Sequence, residues 1–247
     1  MNAIILAAGY ATRLYPLTKD FPKPLLNVGK KTILDLLMDQ LDGIDDLREV
    51  TLVSNNRFAP LFEQWIAARH GGRKISLLND GSMTQEDRLG ALGDLRLAMA
   101  DQVVGDDVLV MAADNILRFP LADLLAAFRS RRAPHICVHR IEDVQRLRRT
   151  GVATLGTDNR VVSFSEKPAE PESNWAVPPI YVFPREILPS IASHLSAAGS
   201  TDAPGYLIEW LCRETPVYAH EIKGAILDVG TPASLDAARA LLSERQP

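Results

Sequence analysis

Short apolar runs recur along the chain, separated by stretches in which apolar side chains return every three or four positions. The runs at 2–7, 50–54, 75–78, 108–112 and 136–138 predict buried strands, because a strand covered on both faces has no polar alternation. Between them, residues 57–70 place Phe58, Leu61, Phe62, Trp65 and Ile66 on one helical face, and 121–131 does the same with Leu121, Leu124, Leu125 and Phe128. Strands alternating with helices of this length predict βαβ units and a mainly parallel sheet with helices on both faces. After residue 150 the pattern changes. Residues 152–155 and 160–165 flank a Thr157-Asp158-Asn159 turn and predict a hairpin, with a further strand at 180–183. Helices are predicted over 186–198 and 231–243, the second with Thr231 as N-cap and Pro232 at its first position. No repeat or low-complexity linker marks a boundary, so the 247 residues predict one domain.

Composition narrows the partners. With 47% hydrophobic residues, 23% charged residues and a net charge of −4, the chain reads as globular with a substantial core. It has no global basic field for nucleic acid or an anionic membrane surface, so any phosphate binding must be local. No apolar run approaches the roughly 20 residues that span a bilayer, and the N-terminus lacks the pattern of a signal peptide, which predicts a cytoplasmic protein. Cys137 and Cys212 belong to no Cys/His cluster and are expected to be buried thiols.

Candidate chemistry begins where the first predicted strand ends. The stretch LAAGYATRLYPLTKDFPKPLL, residues 6–26, places Gly9, Thr12, Arg13 and Lys23 in one loop with Pro16, Pro22 and Pro24. In an open parallel sheet, ligands bind at the carboxyl ends of strands, which is where this loop sits. Gly9 lets a phosphate approach the backbone, Thr12 supplies a hydroxyl, Arg13 a planar fork and Lys23 a compact charge. The prolines stiffen the loop and reduce the entropy lost on closing over a ligand. The plainer alternative is a long surface connection with solvated cations. Neither a P-loop nor a dinucleotide fingerprint is present, since Pro24 stands where the first glycine before GKKT would be and no G-x-G-x-x-G follows the first strand.

The same stretch closely resembles the signature loop of the sugar-1-phosphate nucleotidyltransferases, L-A-A-G-x-G-T-R-L-x-P-L-T followed by P-K-P-L. One position departs: Ala11 stands where the family has its second glycine. The resemblance implies a Rossmann-like mixed sheet, and it implies that Leu6, Ala8, Gly9, Tyr10, Ala11 and Thr12 contact the nucleotide while Arg13 and Lys23 act in catalysis. Asp114 in VLVMAADN and Asp228 in ILDVGTP each read alone as a turn or cap residue. They match the family's metal-binding G-D-N and D-x-G-T positions, with Ala113 in place of the glycine, so the resemblance implies Mg²⁺ as cofactor. Mg²⁺ prefers one or two carboxylates together with phosphate oxygens and water.

By the same likeness, Glu166 and Lys167 in SFSEKP would hold the sugar and its phosphate, with Asn174 and Tyr181 as further acceptor contacts. Residues 79–95, NDGSMTQEDRLGALGDL, would form the nucleobase pocket, with Gly90 and Ala91 beneath the base and Asn79, Asp80 and Gly81 at its edge; read on its own, the segment is also an ordinary polar loop. Residues 1–140 would then be mainly the NTP-binding half and 141–247 the half for the sugar phosphate. The activity implied joins an NTP to a sugar 1-phosphate and releases pyrophosphate, with dTTP or UTP and glucose 1-phosphate as the preferred pair. Guanylyl or cytidylyl transfer to another sugar, a cyclitol phosphate or phosphocholine is the alternative within the enzyme class, and a non-catalytic nucleotide-sugar-binding regulator is the alternative outside it. The sequence leaves a homo-oligomer open.

Overall fold

The five residues Asn2–Leu6 form the first strand, β1, and their side chains already define two layers. Ala3 and Ile5 enter one buried cluster, while Ile4 and Leu6 enter another on the opposite face. A computed structural model of the protein describes residues 1–102, 105–197 and 202–243. After β1 come the opening loop, a short ribbon of β2 (Asn27–Val28) and β3 (Lys31–Thr32), and helix α1 (Ile33–Asp42). The chain continues through β4 (Glu49–Ser54), α2 (Ala59–Ala68), β5 (Lys74–Asn79), α3 (Gly90–Gln102), β6 (Val108–Ala112), β7 (Asn115–Arg118) and α4 (Leu121–Ser130). There follow β8 (His135–Arg140), α5 (Val144–Leu147), β9 (Gly151–Leu155), β10 (Val161–Glu166), β11 (Trp175–Val177) and β12 (Ile180–Phe183). The last elements are α6 (Leu188–Ala197), α7 (Gly205–Glu214), β13 (Tyr218–Glu221), β14 (Ala225–Asp228) and α8 (Pro232–Ser243).

Among the described residues, ten strands form one mixed sheet in the order β10-β9-β11-β8-β12-β6-β1-β4-β5, with β13 also paired to β8. The pairs β6–β1, β1–β4 and β4–β5 are parallel, and β12 inserts antiparallel between β6 and β8. Only β10, β11 and β12 run against the direction of the rest. One face is covered by α1, α2 and α4 through residues such as Leu37, Phe62 and Phe128. The other is covered by α3, α6 and α7 through Leu95, Ile191 and Leu207. The single α/β architecture predicted from periodicity is therefore the one observed. Cys137 is buried and Cys212 half-buried, both as free thiols whose ionisation burial opposes. No helix among the described residues is long and apolar enough to cross a membrane.

Boundaries shifted where caps and turns compete with periodicity. The predicted helix at 186–198 begins instead at Leu188, after a 3-10 turn at Arg185–Ile187, and residue 198 lies outside the described residues. In α8, the N–H of Ser234 donates to the Thr231 hydroxyl at 3.2 Å, so Thr231 caps the helix as its position before Pro232 predicts. Helix α3 was not predicted. Its buried positions include Asp94 alongside Leu92, Leu95, Ala98 and Met99, and a carboxyl on the inner face breaks the apolar period by which helices are read.

Two features hold the opening loop against this scaffold. A third cluster packs Leu14 and Leu26 of the loop against Ile116 of β7, Val229 after β14, and Leu235 and Ala238 of α8. On the other side, the fully buried Asn55 donates from Nδ2 to the Ala8 carbonyl at 2.9 Å and accepts at Oδ1 from the Phe58 N–H at 2.8 Å. Replacing Asn55 by Ala orphans both buried groups. Since each unmade buried hydrogen bond costs about 1–3 kcal/mol, Asn55→Ala is expected to lower unfolding stability by about 2–3 kcal/mol, measured as a lower urea midpoint at unchanged m-value.

Candidate active site

The loop after β1 turns back on itself at Ala11, which takes left-handed backbone angles of φ 47° and ψ 44°. Its carbonyl accepts the Leu14 N–H at 2.9 Å and the Thr18 hydroxyl at 2.8 Å, closing a 3-10 turn over Thr12–Leu14. Leu14 is thereby buried while Thr12 and Arg13 stay exposed. Tyr10 is buried beneath the turn, with its ring 5.8 Å from that of Phe58 and its hydroxyl 3.4 Å from Ser82 Oγ. A second 3-10 turn, Lys23–Leu25, carries the chain inward at Lys23, which is 7% exposed. A buried ammonium needs partners. Lys23 Nζ donates to Asp114 Oδ2 at 3.1 Å and lies 3.8 Å from Asp228 Oδ1.

The two aspartates meet through the ribbon of β7 and β14. Antiparallel pairing sets Asp228 opposite Asn115, next to Asp114, and Asn115 Nδ2 donates to Asp114 Oδ1 at 2.8 Å. Gly230 keeps space beside this point, since a Cβ there would stand 3.2 Å from Asp228 Oδ2. Surrounding protein raises the Asp228 pKa above the usual carboxylate value. The Asp114 carboxylate adds to that shift, while Lys23, Arg13 and Arg146 oppose it.

A cleft of about 430 Å³ runs from Asp114 along the carboxyl ends of β1 and β6; Asp228 itself is not in its wall. Leu6, Ala8, Gly9, Tyr10, Ala11, Thr12, Arg13 and Lys23 all line it, together with Asp114. Gly90 and Ala91 line its far side at the start of α3. The residues brought together thus come from the first strand end, the β6–β7 corner and α3.

The sequence pattern of the nucleotidyl transferase family matches residues 2–245. The chain belongs to the nucleotidyl transferase family. A curated relative, "UTP--glucose-1-phosphate uridylyltransferase AglF" of Haloferax volcanii, is 30% identical over 248 residues, covering 99% of this chain and 97% of that protein. Another, "Putative mannose-1-phosphate guanyltransferase" of Sulfolobus acidocaldarius, is 29% identical over 236 residues; the match covers 94% of this chain and 60% of that longer protein. Among solved structures, a "Putative Glucose-1-Phosphate Thymidylyltransferase" from Bacillus anthracis in complex with a sucrose superposes with a TM-score of 0.86 at 24% identity, over 100% of this chain and 97% of the other. A UDP-glucose pyrophosphorylase complexed with UDP-glucose superposes at 0.84 and 17%, over 99% of each chain. At these identities the superpositions speak for the fold.

Not every residue named from the nucleotidyl transferase resemblance reaches the cleft of this family member. Tyr181 is buried among core side chains, its ring 6.1 Å from that of Phe183, because β12 is an interior strand covered on both faces. Asn174 donates from Nδ2 to Glu142 Oε1 at 3.1 Å, outside the cleft wall. Asn79, Asp80 and Gly81 stand behind the wall at the end of β5, where Asn79 Oδ1 accepts the Gly81 N–H at 2.9 Å and Asp80 accepts from Ser82. Glu166, the last residue of β10, and Lys167 after it do not line the cleft. Lys167 has a φ of 49° and its N–H donates to the Thr150 carbonyl at 3.1 Å. The Glu166 carboxyl lies against Gly205, the residue after the cleft-lining Pro204; a Cβ on Gly205 would fall on Oε2. Burial raises the Glu166 pKa, opposed by Lys167.

The donor set fits a divalent cation. Asp114 and Asp228 are hard oxygen donors that converge on a single ammonium, and together they leave negative charge after Lys23 is counted. Two carboxylates suffice when phosphate oxygens and waters complete the shell. Gln85, Arg88, Asp94 and Asp202 also line the cleft and were not singled out from the sequence. The one signal for them was Asp94, a carboxyl set between apolar residues such as Leu92 and Leu95.

The left-handed Ala11 explains the glycine of the family pattern, since a Cβ in this region costs roughly 1–2 kcal/mol. Part of that gain is offset by the wider freedom of an unfolded glycine. Ala11→Gly is therefore expected to raise stability by about 0.5–1 kcal/mol, and Ala11→Val to lower it, both read from urea unfolding.

Proposed function

We propose that the protein joins a nucleoside triphosphate to a sugar 1-phosphate, giving an NDP-sugar and pyrophosphate. The observation that carries this reading is the convergence of Lys23, Asp114 and Asp228 beneath a loop that presents Arg13 and exposed backbone at Gly9 and Thr12. UTP or dTTP with glucose 1-phosphate is the preferred pair, supported by the uridylyltransferase relative that matches almost end to end. Guanylyl transfer to mannose 1-phosphate is the second reading, supported by the Sulfolobus acidocaldarius relative, of which this chain spans 60%. Residues 1–140 supply the triphosphate side of the cleft, and 141–247 supply the acceptor side through Glu166 and Lys167.

The chemistry is positioning and charge neutralisation. A phosphate oxygen of the acceptor is already a competent nucleophile at neutral pH, so in-line attack on the α-phosphorus needs no general base and no covalent intermediate. Backbone groups at Gly9 and Ala11 cradle the triphosphate, and the Arg13 fork meets the departing pyrophosphate. Lys23, fixed by burial rather than swinging in solvent, places its charge where the α-phosphate becomes more anionic. Asp114 and Asp228 would hold Mg²⁺, which when bound neutralises phosphate charge. Glu166 accepts hydrogen bonds from acceptor hydroxyls, and Lys167 pairs with its phosphate.

Pyrophosphate release across ATP, GTP, CTP, UTP and dTTP, each against a panel of sugar, cyclitol and choline phosphates with Mg²⁺, tests the reading. Release is expected only when one NTP and one acceptor are present together; silence across the panel overturns it. Removing a preorganised donor from developing charge commonly costs about 10²–10³ in turnover. Lys23→Ala and Arg13→Ala are expected to lose at least that much with unchanged far-ultraviolet circular dichroism. Asp114→Asn is expected to raise the Mg²⁺ concentration needed for half-maximal release as well as lowering the rate. An unchanged Mg²⁺ titration removes Asp114 from the metal site.

A further inference from the structure

The wall of the cleft formed by α3 holds a group that the mechanism does not use. Asp94, one helical turn beyond Gly90, lines the cleft yet is only 6% exposed, and its Oδ1 is buried with no hydrogen-bond donor to satisfy it. An orphaned carboxylate oxygen in such a place costs several kcal/mol, so it needs an explanation. The neighbouring charge that acts most strongly on Asp94 is the Asp80 carboxyl, directly after β5. Both Asp80 oxygens already accept from Ser82: Oδ1 from the N–H at 2.7 Å and from the hydroxyl at 2.8 Å, Oδ2 from the hydroxyl at 3.0 Å. Two carboxyls close together with no cation between them are relieved when one of them keeps its proton. Asp202, before α7, also lines the cleft, with both carboxylate oxygens paired to Arg88. Burial first, and then the nearby Asp80 and Asp202, push the Asp94 pKa up to about 8.

We propose that Asp94 serves as a neutral acid in the nucleotide site, its proton shared with Asp80, and that its uncharged carboxyl reads the nucleobase by accepting an N–H of the base. This rests on the reading of the cleft as a nucleotide site. Gly90 and Ala91, with no side chain larger than a methyl group, line the cleft with Asp94, and Arg13, Lys23 and Asp114 line the same cleft. A base can therefore lie against α3 while its phosphates reach Arg13 and Lys23. Neutrality also matters for charge. Ionised Asp94 would add a second uncompensated negative charge beside Asp80, in a cleft that must admit a triphosphate. The neutral acid resembles an amide in shape and in its pairing, with one donor toward Asp80 and one acceptor left over. Asn is thus the conservative replacement and Leu the disruptive one.

The test is calorimetric titration of the full chain with each of the five NTPs and Mg²⁺ from pH 7 to pH 9.5. Wild-type affinity for the preferred NTP is expected to hold below pH 8 and to fall above it as Asp94 loses its proton. Asp94→Asn is expected to bind that NTP at pH 7 like wild type and to lose the fall above pH 8. Asp94→Leu, with its folded state checked by thermal melting, is expected to bind about tenfold more weakly and to discriminate less among the bases, the scale of one lost hydrogen bond in a site built for it. Asp94→Leu with unchanged affinity and base preference overturns the proposal, and so does Asp94→Asn with the wild-type pH profile. A loss that appears only in the KM for the sugar phosphate overturns the assignment to the base. Wild-type protein that binds none of the five NTPs overturns the functional reading along with this one, whereas normal binding that ignores residue 94 overturns this one alone.

Discussion

Lys23 is the point on which the site depends. A lysine buried to 7% exposure is tolerable only beside compensating charge, and Asp114 and Asp228 supply it from two distant parts of the chain. The contact draws three segments together: the opening loop, the corner between β6 and β7, and the end of β14. Apolar packing of Leu14 and Leu26 against Ile116, Val229 and Leu235 holds those same segments from below. Charge alone would leave the loop mobile on its cluster, and packing alone would not aim the ammonium. Together they fix a cation and two hard oxygen donors at one end of the cleft.

The two ends of the cleft solve opposite electrostatic problems. At the Asp114–Asp228 end, burial first and then the Asp114 carboxylate raise the Asp228 pKa, and a cation relieves that cost. At the α3 end, among the described residues, no comparable cation serves Asp94, and Arg88 is already engaged by Asp202. There the relief is a proton. One arrangement suits phosphates and metal, and the other suits a neutral, hydrogen-bonding base.

The opening loop was readable because its chemistry is local. Gly9, Thr12, Arg13 and Lys23 lie in the one loop that follows a strand end, so the strand's position in a parallel sheet already places them at the cleft. The departure at Ala11 was readable as an oddity, but that it takes a left-handed turn anchored by Thr18 was not. Tyr181 shows the opposite case. Its place in the segment matched an acceptor contact, yet β12 inserts between β6 and β8, and an interior strand buries the side chains on both of its faces. The segment 79–95 concealed most. Its polar residues looked like loop, and the helix within it turns a carboxyl inward.

The sequence by itself determined the alternation of strands and helices, the single α/β class, the cleft-lining loop and the two aspartates, because each is encoded in periodicity or in residues close along the chain. The tertiary structure alone decided which groups meet. The register of β14 on β7 places Asp228 opposite Asn115, more than a hundred residues earlier in the chain. The turn after β5 carries Asp80 to Asp94, and the approach to α7 brings Asp202 to Arg88. Such pairings follow from strand order and helix packing, which sum weak contacts over the whole chain, and no local pattern records that sum.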